Sequence, residues 1–119
     1  MLKDLQLLNI YGAMARHAAL SQQVTSANIA NADTPGYKAS ELESFQDFIS
    51  RATQAGAAAG LDPEFRVLSS RVAASPNGNN VSLESEIFNS AEAMGQHNLA
   101  LTVYSKSLEM LRTALGRQR

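Results

Sequence analysis

The feature that most limits how this chain can fold is a column of apolar residues near its C-terminus. Ile87, Met94, Leu101, Leu108 and Leu115 recur every seven residues without a slip. A companion column three residues on holds Ser90, His97, Tyr104 and Leu111, with Leu83 one heptad before it. A repeat of seven sustained in this way predicts a long helix laid against other helices. Its start and stop are also written in residue types. Ser82 is placed to cap the first turn, and Glu84 and Glu86 follow at the positive end of the helix dipole. Arg112 and Arg117 stand at the other end, with Gly116 as a stop.

The columns beside that seam are small. One reads Glu86, Ala93, Ala100, Ser107, Ala114, and the other Glu84, Ala91, Asn98, Ser105, Arg112. A dimeric coiled coil places opposite charges there to choose its partner. Alanines at 93, 100 and 114 instead let further helices approach closely, so this helix is expected to pack on several sides.

A partner helix is available at the N-terminus. Leu7, Ile10, Met14, His17, Ser21, Val24, Asn28 and Asn31 recur at spacings of three and four. Such a helix of about 30 residues would be roughly 45 Å long. Lys3, Asp4 and Arg16 interrupt its apolar residues, so it is expected neither to span a membrane nor to act as a cleaved secretory signal. Thr34-Pro35-Gly36-Tyr37 breaks it: Pro35 presets its own φ and extends Thr34, and Gly36 permits a positive φ. Asn28 and Asn31 are uncharged amides on a packed surface. They must find partners, and so are expected to fix register where apolar contacts would tolerate sliding.

Between the long helices lies a loop-rich segment, residues 35–80. Ser40 is expected to cap a short helix over about 40–53, with Glu41 and Glu43 in its first turn. Leu42, Phe45, Phe48, Ile49 and Ala52 form its apolar side. The low-complexity run "AGAAAGLDPEF" follows, then a possible short strand or ribbon over Phe65, Val67, Leu68 and Val72. "SPNGNN", Ser75 to Asn80, is a dense turn signal. The expected fold class is mainly α. Residues 1–34 and 81–119 form one domain, an antiparallel coiled-coil-like pair, with 35–80 inserted at its far end. A hairpin of this kind encloses little volume and should be marginal alone. Neighbouring copies would bury its remaining faces.

Chemistry finds little support. The 119 residues carry 10 Lys+Arg against 11 Asp+Glu, which argues against binding nucleic acid or anionic membrane by bulk charge. There is no Cys, so disulfides, thiolate metal sites and Cys nucleophiles are excluded. His17 and His97 lack a neighbouring carboxylate at ligand spacing, and no Ser stands in a nucleophile elbow. No enzyme activity, metal or cofactor is expected. The end of the chain, "RTALGRQR", has three Arg and no acid after Glu109. It reads as helix-end electrostatics, or more sharply as a contact to an acidic patch on a neighbouring subunit.

The stretch "LSQQVTSANIANADTPGYKA" strongly resembles the N-terminal signature of the flagellar axial proteins, the rod, hook and hook-associated subunits. The matching positions are Leu20, Asn28, Ala30, Asn31, Thr34, Gly36 and Tyr37, with Pro35 inside the turn. "GNNVSLESEIFNSAEAMGQHNLALTVYSKSLEMLRTAL" is similar to the C-terminal segment of proximal rod subunits, although Ser82 stands where an acidic residue is common. The two blocks cover about half of the chain.

The resemblance implies a structural subunit exported through the flagellar type III apparatus without a cleaved signal peptide. It would assemble into the periplasmic rod that transmits motor torque. Implied partners are further copies of the chain, the adaptor FliE, the rod protein FlgC, the nearby MS ring and, transiently, the export gate. Phe48-Ile-Ser-Arg-Ala52 matches the short element read by that gate, although Phe48 on the apolar face of a short helix accounts for it equally well. The alternatives are another proximal rod protein or, from a different class, a helical adaptor or export chaperone.

Overall fold

The computed structural model describes residues 2–54 and 64–116. Along the chain these form helix α1 (Leu2–Ala30), strand β1 (Ser40–Leu42), helix α2 (Phe45–Gln54), strand β2 (Val67–Ser69) and helix α3 (Leu83–Gly116). Residues 55–63, most of the low-complexity run, and the terminal Arg117 and Arg119 lie outside the described residues.

α1 and α3 pack against each other along their length, and they run antiparallel. Asn28 bonds Glu86, Gln22 bonds Ser90, and Gly12 lies beside the Tyr104 ring, so position falls along one helix as it rises along the other. The molecule measures 68 × 28 × 14 Å. A body little thicker than one helix, about 10–12 Å with side chains, cannot surround large residues. The core shows this. Its buried hydrophobic residues are Ala13, Ala18, Ala39, Ala93 and Ala100, with Phe48 the single large one among the described residues.

The phase of the α3 seam follows from the same geometry. The residues of α3 buried in the chain are Glu86, Ala93, Ala100 and Ser107, still seven apart. This is the small column, one residue before the large apolar column. Alanines let the α1 and α3 backbones approach closely, and the bulkier Ile87, Met94, Leu101 and Leu115 are turned outward, Ile87 to 63% exposure. Leu108 and Leu111 are half-buried, and Ala114 is exposed.

The middle segment corrects the expectation of a helix starting at Ser40. Residues 40–42 form an edge ribbon instead, with Ser40 opposite Ser69, Glu41 opposite Leu68 and Leu42 opposite Val67 in antiparallel register. Backbone bonds Glu43 N–H to Arg66 O and Ser70 N–H to Ala39 O extend the pairing on both sides. With that backbone committed to a strand, α2 begins five residues later. Its cap is Ser44, whose Oγ accepts the Asp47 N–H at 3.1 Å. Glu41 and Glu43 are therefore not first-turn residues of a helix. At α3 the Ser82 hydroxyl does receive the Ser85 N–H, at 3.4 Å.

Candidate functional site

The end of α1 is held by amides. Asn28, 1% exposed, is the largest fully buried side chain among the described residues. Its Nδ2 donates to the Ser40 carbonyl at 2.7 Å and to Glu86 Oε1 at 3.1 Å. Its Oδ1 accepts the Ser40 N–H at 3.1 Å and the Tyr37 hydroxyl at 3.3 Å. One side chain thus ties α1 to β1 and to α3, with the donor and acceptor capacity of the amide both in use.

Asn31 works locally. It donates to the Ala27 carbonyl at 2.8 Å and accepts the Thr34 hydroxyl at 3.1 Å, closing the last turn of the helix. The chain then turns at Thr34–Tyr37, where Tyr37 N–H bonds Thr34 O and Gly36 has φ 73°, the geometry of a type II turn. Leu20 is half-buried and Ala30 exposed.

A second loop clasps this turn. Gly36 N–H donates to the Asn77 carbonyl at 2.9 Å and Asn80 N–H to the Tyr37 carbonyl at 3.2 Å. Asn79 Nδ2 reaches the Asn31 and Thr34 carbonyls at 2.9 and 2.7 Å, adding a second hydrogen bond to oxygens that already accept the Thr34 and Tyr37 N–H groups. Asn80 Oδ1 accepts the Ala39 N–H at 2.6 Å. The two turns touch through backbone: a Cβ added at Gly78 (φ 84°) would stand 3.2 Å from Gly36 Cα. Asn79 and Asn80 were visible in the sequence only as part of a turn, because turn propensity says nothing about an amide's long-range partner.

A second polar knot anchors α2. Glu43, buried, accepts bonds from Arg51 Nη2 at 2.5 Å and from the Arg66 N–H at 2.9 Å. Burial alone would raise the Glu43 carboxyl's pKa. The Arg51 hydrogen bond, the Arg66 N–H and the charges of both arginines outweigh it and hold the carboxyl below its ordinary value. The Glu43 carbonyl faces His17 Nε2 at 2.6 Å, so that nitrogen carries the proton. The rings of Phe45 and Phe65 meet His17 edge-on, and Phe48 stacks with Phe45 and tilts against Phe65. Phe48 is 4% exposed, and Ala52 is half-buried.

The structure thus brings Asn28, Asn31, Thr34, Gly36 and Tyr37 to one junction and sets Phe48 and Ala52 apart in the α2 knot. It leaves the large α3 column on the outside. Phe88, Leu99 and Met110 are exposed on α3 as well, and Leu5, Leu7 and Ile10 on α1. Contiguous apolar patches on a surface mark sites that bind other macromolecules or ligands. No helix among the described residues is long and apolar enough to cross a membrane.

Comparison with known proteins agrees with the junction. Residues 9–38, most of α1 and the turn that ends it, match the family model described as Flagella basal body rod protein. The match is a similarity over about a quarter of the chain, confined to α1 and its turn. No curated protein matches the chain.

Proposed function

We propose that the chain is a structural subunit of the bacterial flagellar basal-body rod, of the proximal type represented by FlgB, with the proximal rod protein FlgC as the neighbouring assignment. The observation that carries the reading is the coincidence of the rod-family match at 9–38 with a helix pair whose large apolar residues point away from its own partner. After type III export, copies would pack the outward column Ile87, Met94, Leu101, Leu108 and Leu115 against one another and form the inner wall of a helical tube in the periplasm. FliE, FlgC and the MS ring would adjoin it. The 1–34 and 81–119 segments act as one mechanical unit, and the middle segment rides outside it. Torque is then resisted by many small side-by-side contacts that must shear together.

The test is the double change Met94→Lys with Leu101→Lys. Both positions are exposed in the single chain, so the subunit should still be made and exported, while rods and motility are lost. Normal swimming with the double variant at wild-type level would overturn the reading. A chaperone or adaptor would behave differently in isolation, eluting as a stable compact dimer.

A further inference from the structure

Between the C-terminal half of α1, strand β1 and the N-terminal half of α3 lies an open groove of about 400 Å³. Its walls include Glu41, Asp47, Glu86 and Glu92, with Arg71 as the one full cation among its lining residues. Glu43, also on the wall, is already matched by Arg51. The other four carboxylates outnumber Arg71, so the groove is acidic.

Two buried groups make it more than an acidic cluster. Glu86 is 7% exposed, yet its carboxylate receives only the neutral Asn28 amide from the described residues. A buried carboxylate ordinarily has a cation. His17, 6% exposed and also on the wall, keeps its proton on Nε2 for the Glu43 carbonyl and leaves Nδ1 with no hydrogen-bond partner. His17 Nδ1 is an acceptor without a donor, and Glu86 is a buried carboxylate with no cation bound among the described residues. A guanidinium, with a fixed positive charge and five N–H groups, is the side-chain chemistry that suits them.

The chain carries such groups at its opposite end, where Arg112, Arg117 and Arg119 follow the last acid, Glu109. They cannot reach their own groove. Glu92 and Gly116 are separated along α3 by about 36 Å at 1.5 Å per residue. The three residues after Gly116 in this sequence span about 11 Å at most. Those arginines can enter the groove only from another copy of the chain.

We propose that the groove receives the arginines of the basic α3 end of a second copy of this chain. The proposal rests on the self-assembly reading above and specifies one of its contacts. Groove and basic end are different surfaces at opposite ends of an elongated molecule, so the contact is heterologous. Repeated, it generates a ring or an open filament and not a two-fold dimer.

Because the chain has no cysteine, a crosslink can be placed without background. Full-length chain carrying Glu92→Cys and Gln118→Cys, expressed in place of the wild type and oxidised in situ, should yield an intermolecular disulfide peptide joining positions 92 and 118. Mass spectrometry identifies it. Its yield should exceed that of a Thr102→Cys and Gln118→Cys control at least fivefold, and fall at least threefold when oxidation is done in 1 M salt. A 92–118 yield no greater than the control overturns the proposal. That result stands apart from the rod reading, which is judged by motility of the Met94 and Leu101 variant.

Discussion

The two ends of the helix pair solve the problem of a thin molecule in opposite ways. At the junction, where α1 ends and α3 begins, side chains are polar and their bonds are completed inside the chain: Asn28, Asn79 and Asn80 are all buried. Along the shaft, the pair meets through Ala93, Ala100 and Ser107, and the large apolar groups look outward. Hydrogen bonds have direction and fix one arrangement, whereas apolar area has none and accepts whatever covers it. The junction therefore defines the shape of the helix pair, and the shaft carries its exposed apolar area.

The sharpest way to break this contrast is at Asn28. Asn28→Leu puts a somewhat larger apolar group in the amide's place and leaves the Ser40 backbone groups and Glu86 buried without it. At about 1–3 kcal/mol for each unsatisfied group, a loss of roughly 3 kcal/mol is expected, read as a lower urea midpoint for dissociation of assembled particles. An unchanged midpoint would mean the junction is not what defines the subunit.

A smaller loss is expected in the shaft. Ala100→Leu forces a large side chain into the α1–α3 seam, at about 1–3 kcal/mol. Rod assembly should fail because the pair spreads, with the subunit still made. Electron microscopy of basal bodies checks it, and intact rods would show that the seam has slack.

The mildest effect concerns pH. The Glu43 carboxyl is held below its usual value in the fold. The ion pair with Arg51 thus adds stability fully present above the unfolded carboxylate's pKa, near 4.3, and lost as pH falls through the folded value. Docking of α2, followed by proton NMR of the Phe45, Phe48 and Phe65 rings, should weaken on acidification. Glu43→Gln should flatten that dependence.

What the sequence made legible was local or periodic. The lengths of α1 and α3, the Ser82 cap and the Thr34–Tyr37 turn each follow from residue type at a given spacing. The period of α3 was equally plain, but not its phase. Hydropathy ranks columns by the size of their apolar groups, and here the small column faces α1 because only small residues let two backbones meet in so thin a body. Ser40 and Ser44 are comparable caps by type. The choice fell to Arg66 and Ser70, distant residues that draw 39–43 into a ribbon. Glu86 read as a first-turn acid, and nothing local announced that Asn28 would bury it.

The contact between Gly36 and Gly78 has a topological consequence. The polypeptide leaves the shaft at one of these residues and re-enters it at the other, so residues 37–77 form a closed excursion whose two feet stand together. The length of such a detour hardly matters to the pair it departs from, since closing a longer loop costs only about 0.6 kcal/mol per doubling. The helix pair can thus be treated as a chassis. A fluorescent protein or a whole extra domain spliced between Gln54 and Glu64 should therefore leave the helix pair intact.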